Sequence, residues 1–257
     1  MGSDGFGSGD AMRGSEVERA PGPVPVFDTS ELRWFATGPV PDDVLGWFLG
    51  ERESLTVEER ADVYHLHAVD GLGVKFRGGT MLEVKQLQSV GDPVDLGNGL
   101  TAPLTRWSKS RPAEDTAWTS VDVASVEVSK RIVKRSFGPE DSLPPHIEMP
   151  AARLTPGCNV EVTSVWVDAI ESWTFAFEAY GPLSMRHSLV IDAWAALIGD
   201  ASPPSGLARH LDVTAAYPVW LRQTQEVRLA VTPNPESRSA LNGSTMSLQV
   251  GGTLTPS

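Results

Sequence analysis

The sequence predicts an α+β protein built on an antiparallel β-barrel, a tunnel of strands with a few flanking helices. Three observations predict it. Apolar and polar residues alternate with period two through six short segments, as in strands whose two faces meet different surroundings. Gly, Asp and Pro supply turn chemistry between these segments. Only residues 184–198 (SMRHSLVIDAWAALI) carry a strong helical pattern, with Leu189, Ala193, Trp194 and Leu197 on one stripe, and no strand–helix–strand rhythm of a parallel sheet is present.

The elements follow in chain order. Residues 1–25 are rich in Gly, Ser, Pro and acids and read as a disordered lead-in. The barrel domain is expected over residues 26–232. Its first strand is Glu31-Leu32-Arg33-Trp34-Phe35. Pro41-Asp42-Asp43 then opens a helix, VLGWFL, with acids at its positive end. A strand over 62–68 (DVYHLHA) ends at the Asp70-Gly71 turn. Segments 73–77 (GVKFR) and 81–87 (MLEVKQL) flank Gly78-Gly79-Thr80 as a hairpin. Further strands are expected over 104–109, 121–137, 160–167 and 173–180, before the helix. Residues 233–257 read as a polar tail, in which SLQVGGTL could add one edge strand.

Composition narrows the function. The 257 residues carry 21 Lys and Arg against 33 Asp and Glu, a net charge of −12. That balance argues against a general nucleic-acid binder. No apolar run reaches the ~18 residues of a membrane span, and MGSDGFGSGDAMRG lacks the form of a secretory signal, so no membrane partner is expected. A single cysteine, Cys158, suits a reducing cytoplasm.

The parity of charge within the strands is the informative feature. Glu31 and Arg33 oppose Leu32 and Trp34; Lys75 and Arg77 oppose Val74 and Phe76; Glu83 and Lys85 oppose Leu82 and Val84. In VEVSKRIVKR, Glu127, Ser129, Arg131 and Arg135 are assigned to one face against Val126, Val128 and Ile132. Glu161 and Glu178 fall on the polar parity of their strands. Two arrangements fit: an antiparallel sheet with one wet face, or a barrel with apolar residues outward and charges lining its interior. In the second, Arg33, Lys75, Arg77, Lys85, Arg131 and Arg135 would hold a polyanion. Glutamates would meet it through a bridging divalent metal.

Strand order and spacing resemble the CYTH-like, triphosphate tunnel metalloenzyme superfamily, which includes adenylate cyclases, thiamine triphosphatases and inorganic triphosphatases. The likeness runs from about Glu31 to Ile198. Asp62-Val63-Tyr64-His65-Leu66 is similar to its D-x-Y-Y-D strand, and Gly73-Val74-Lys75-Phe76-Arg77 to its L-R-I-R strand. Leu82-Glu83-Val84-Lys85 resembles L-T-x-K, 129–135 (SKRIVKR) the K-x-R strand, and 173–178 (WTFAFE) the late aromatic–E-I-E strand. Tyr217-Pro218-Val219-Trp220-Leu221 resembles the S-Y-x-x-L ending. The resemblance implies an eight-stranded tunnel, basic phosphate ligands, and Mg²⁺ or Mn²⁺ held by Glu178 with Glu31 or Glu161. The E-x-E-x-K signature is incomplete: Glu31 is present, but Arg33 and Phe35 stand at its second glutamate and its lysine.

The expected function is binding of an organic phosphate or polyphosphate in a basic tunnel, with metal-dependent triphosphate hydrolysis if the site is catalytic. The alternative is a non-catalytic barrel module for an anion or a partner's acidic segment. His65 and His67 form an H-x-H that lacks a third metal ligand. Cys158 has no assigned histidine partner and reads as structural. Residues 106–111 (RWSKSR) make a small basic cluster whose Lys109 fits a strand's polar face better than a nucleic-acid patch.

Overall fold

The computed structural model describes residues 26–50, 56–67, 69–112, 124–138, 155–211 and 213–231. The lead-in 1–25, the tail 233–257 with its edge strand, and the start of the 121–137 segment lie outside them.

Eight strands close into an antiparallel barrel: β1 (Val26–Thr37), β2 (Thr56–His65), β3 (Leu72–Arg77), β4 (Met81–Asp95), β5 (Thr101–Ser110), β6 (Ser125–Phe137), β7 (Gly157–Val167) and β8 (Ile170–Tyr180). Around the ring the order is β1, β5, β4, β3, β2, β6, β7, β8 and back to β1. β1 closes it, pairing with β8 from Thr29 to Thr37 and with β5 from Val26 to Glu31. A short β9 (Val213–Thr214) takes β5's place beside Trp34 and Phe35. Most strands start earlier than their charge patterns suggest, β4 and β6 excepted, and most consequentially β2, which begins at Thr56 rather than Asp62. The β3–β4 turn follows the sequence: Gly78 and Gly79 take φ of 57° and 79°, the left-handed region open to residues without a Cβ.

The apolar face of the wall points outward. Leu32, Trp34, Val160, Val162, Phe175 and Phe177 are buried there under α1 (Asp42–Leu49) and α2 (Arg186–Asp200). Helix α2 presents Val190, Ala193, Trp194 and Leu197, near the stripe expected from sequence. The β4–β5 hairpin runs past the barrel and adds Val94, Leu96, Leu100 and Ala102 to this layer. Trp194 Nε1 donates to the Leu96 carbonyl at 2.6 Å, so even the large indole leaves no donor unpaired.

A second apolar cluster closes one end. Phe35, Tyr64, Val126, Val128, Val165 and Val167 pack against Tyr217, Trp220 and Leu221 of α4 (Tyr217–Val231). Phe35 and Trp220 stack with centroids 4.3 Å apart and planes 7° apart. Sequence reasoning did not assign α4. Its Pro218 sits in the first turn, where the missing N–H costs nothing. Gly73 lies beneath this plug, and a Cβ there would come within 2.8 Å of Pro218 Cγ. Among the described residues no helix is long and apolar enough to cross a membrane.

Candidate anion-binding cavity

The ring encloses a cavity of about 460 Å³, within the range of small-molecule sites. Because the apolar parity is spent on the outer layers, the inner parity is left for charge. Nine cations line it: Arg33, Arg60, Lys75, Arg77, Lys85, Lys109, Arg111, Lys130 and Lys134. Five glutamates join them (31, 58, 83, 161 and 178), and Asp62 lies just beneath the surface with no exposure. With every lysine protonated the wall carries an excess of three positive charges, and of two with Lys130 neutral, in a chain whose net charge is −12.

The wall is organised as linked ion clusters. In the first, Lys85 Nζ lies 2.6 Å from both Glu31 oxygens, and Lys109 Nζ bridges Glu178 at 2.7 Å and Glu31 at 3.2 Å. Strand register makes this possible, since Glu31 pairs with Glu178 and Lys85 with Lys109. Burial by itself would raise the Glu31 carboxyl, but the Lys85, Lys109 and Arg33 charges outweigh it and hold it well below the usual carboxylate range. Burial, reinforced by the Lys109 and Arg33 charges, pushes Lys85 down to about 8 despite Glu31. Burial disfavours the Lys109 ammonium too, yet Glu178, Glu31 and Glu83 overcome it and raise its pKa.

The second cluster centres on Asp62. Arg60 Nε at 3.0 Å, Lys75 Nζ at 3.1 Å, Lys130 Nζ at 2.9 Å and the Gly78 amide at 3.3 Å all donate to its carboxylate. These charges outweigh its burial and hold Asp62 far below the ordinary aspartate value. Glu83 receives Lys75 and Arg111, each at 3.3 Å, while Glu58 receives Arg60 at 2.5 Å and Arg77 at 3.0 Å. Thr29 Oγ1, Arg33 Nε, Tyr180 OH and Tyr217 OH are buried on residues lining the cavity, without a hydrogen-bond partner among the described residues. Each such orphan costs about 1–3 kcal/mol until a guest or solvent satisfies it.

Of the residues assigned from sequence, Arg33, Lys75, Arg77, Lys85, Glu31, Glu161 and Glu178 do line one enclosed space. Arg131 and Arg135 do not. Arg131 is half exposed outside the barrel beside Glu59 at 3.5 Å. Arg135 is buried on the outer side, paired with Asp200 of α2 and set over the Phe137 ring. The physical reason is parity. Both faces of β6 mix charge with apolar side chains, so charge alone does not choose between them. The inner face is Val126, Val128, Lys130, Ile132 and Lys134, which continues the plug and then the cavity, whereas Val133 joins the outer core.

Glu58, Arg60, Arg111, Lys130 and Lys134 were missed. The alternation Glu58, Arg60, Asp62, Tyr64 would have revealed the first two had the strand been started at Thr56. Within 106–111, Trp107, Lys109 and Arg111 share the inner parity, so this segment does not form one basic patch; Lys85 sits 4.4 Å over the Trp107 ring. Cys158 is buried on the outer face, and burial, with nearby Glu178, pushes its thiol far up, as suits an unreactive side chain. His65 packs edge-on against Phe76, with ring centroids 5.5 Å apart.

The three glutamates do not fit a divalent metal as they stand. Both Glu31 oxygens meet an ammonium, Glu178 meets another, and among the described residues no three carboxylate, imidazole or thiolate groups gather as a ligand set. Mg²⁺ needs a near-octahedral oxygen cage at short distance. Here an ammonium, Lys109 Nζ, lies between Glu31 and Glu178, 3.2 and 2.7 Å from their oxygens.

The arrangement can attract and orient an anion through several convergent N–H donors, several of them already ordered by carboxylates. No protein-family model matches the chain, and no curated protein matches it either.

Proposed function

We propose that the barrel binds a small phosphorylated or polyphosphate-like anion and does so through arginine and lysine rather than through a divalent metal. The cationic excess of the barrel's inner wall carries this reading: a cavity walled by low-dielectric strands focuses its field on whatever charge enters, and guanidinium groups meet phosphate oxygens in pairs. The reading retains the ligand class implied by the CYTH-like, triphosphate tunnel resemblance and departs from its Mg²⁺ or Mn²⁺ chemistry. A cytoplasmic setting, rich in phosphate esters and reducing towards Cys158, fits the same reading.

Thermal unfolding with tripolyphosphate, in EDTA and separately in Mg²⁺, tests it. We expect stabilisation that EDTA leaves intact; at a hundredfold excess over Kd it amounts to about 2.7 kcal/mol. Arg77→Ala should reduce it. Phosphate release from tripolyphosphate in Mg²⁺ or Mn²⁺, or stabilisation that vanishes in EDTA, would overturn the metal-free reading. No stabilisation by tripolyphosphate or a nucleoside triphosphate would overturn anion binding itself.

A further inference from the structure

Lys130 projects into the cavity from β6, and its surroundings differ from those of every other lysine there. Its Nζ is 2.9 Å from Asp62 Oδ2 and 2.6 Å from the Tyr64 hydroxyl, and it sits over the Tyr64 and Tyr217 rings at 4.7 and 4.3 Å. Asp62 is not its private counterion: Lys75 and Arg60 donate to the same carboxylate. Arg60 and Lys75 each reach a second carboxylate, Glu58 and Glu83, whereas Lys130 shares Asp62 with both of them and is the most buried of the three.

We propose that Lys130 is an imine-forming amine, and that the cavity takes a phosphorylated aldehyde or ketone whose carbonyl it captures. This rests on the anion-binding reading above, since Arg60 and Lys75 would hold the phosphate while the carbonyl reaches Nζ.

Burial, and after it the Lys75 charge, push Lys130 well below the usual lysine range against the pull of Asp62. A neutral amine has a lone pair, and the Tyr64 contact can then reverse, with the rotatable phenolic O–H donating to nitrogen. Tyr64 itself stays protonated, because burial, with the Asp62 and Glu83 charges, raises it well above its ordinary value. Lysines made nucleophilic by burial among other cations are a known route to Schiff-base chemistry.

The step balances without an added reagent. The Lys130 nitrogen attacks the carbonyl carbon and passes one of its two protons to the carbonyl oxygen, which becomes the hydroxyl of a carbinolamine. The Tyr64 hydroxyl then relays the second, accepting the proton the nitrogen releases as it hands its own to the departing hydroxyl, which leaves as water. Amine and carbonyl become imine and water, with no change of oxidation state. Lys85 is the competing amine, but both Glu31 oxygens grip its ammonium at 2.6 Å.

The test uses the full chain with pyridoxal 5′-phosphate as probe, borohydride to fix any imine, and peptide mass mapping. We expect one added group per chain, on Lys130, with tripolyphosphate protecting against it and unphosphorylated pyridoxal reacting at least tenfold more slowly. Tyr64→Phe should slow the absorbance change of imine formation tenfold or more without moving the site of labelling. Labelling on Lys85, Lys134 or surface lysines instead, or no labelling, overturns the proposal. Because mapping is done on the unsubstituted protein, the result does not depend on whether a Lys130 variant folds. If tripolyphosphate stabilises the chain and Lys130 stays unlabelled, imine formation alone fails; if tripolyphosphate neither protects nor stabilises, the anion reading fails with it.

Discussion

Asp62→Asn removes one charge and almost no volume, and its effect can be worked from the cluster it anchors. In the native protein Arg60, Lys75 and Lys130 share this carboxylate, which is fully shielded from solvent. The amide can still accept a hydrogen bond, but its NH₂ turns donors against donors. Breaking a buried charge pair by neutralising one side costs about 3–5 kcal/mol, and the ease with which Lys130 sheds its proton favours the lower end. For a domain of this size each kcal/mol moves Tm by about 2–4 °C, so a fall of roughly 10 °C is expected by circular dichroism. The same substitution raises the cationic excess of the cavity. Tripolyphosphate should therefore raise the variant's Tm by more than it raises the native protein's. A Tm within 2 °C of the native value, or a smaller ligand-induced rise, would refute the reasoning that Asp62 is the internal counterion of an anion site.

Three further expectations share this basis. Lys85 is held near 8, so it loses its charge as pH rises through that value, and tripolyphosphate affinity measured by calorimetry should weaken between about pH 7 and 9; in Lys85→Arg, where the charge persists, that weakening should largely disappear. Glu31, Asp62 and Glu83 are all held well below their ordinary values, so their stabilisation is complete above the unfolded carboxylate pKa of about 4 and is lost as pH falls below it; acid unfolding should be steep there and shallower in Glu83→Gln. Arg131→Ala removes an exposed pair, so stability should change by less than about 1 kcal/mol and anion affinity not at all, whereas Lys134→Ala should weaken binding severalfold in the same titration.

The barrel was legible because its alternation is physical: a strand that must be apolar outward and charged inward writes both demands into neighbouring residues. Leu32 and Trp34 against Glu31 and Arg33 is enough to place β1. The same rule failed on β6, where Lys130 and Lys134 alternate with Arg131 and Arg135 and only the distant partners, α2 outside and the plug below, select the inner face. The plug was illegible for a related reason. Tyr217, Trp220 and Leu221 form a short apolar stripe behind a proline, and their value comes from Phe35, about 180 positions earlier in the chain, which local periodicity does not register. The metal expectation was read from glutamates on the inner parity, and parity does not register that Lys85 and Lys109, paired across two strands, reach Glu31.

The way β1 completes the ring bears on how the chain reaches its native state. Arg33 donates to Thr174 across 141 positions, and β1 has no partner nearer in sequence than β5. During synthesis β1 must wait for β5 and then, for most of its length, for β8, and such distant pairing is slow because the loop must close before any contact rewards it. Through that delay β1 is an unpaired edge carrying Trp34 and Phe35, and the charges of Glu31 and Arg33 between its apolar residues discourage it from pairing with another copy of itself.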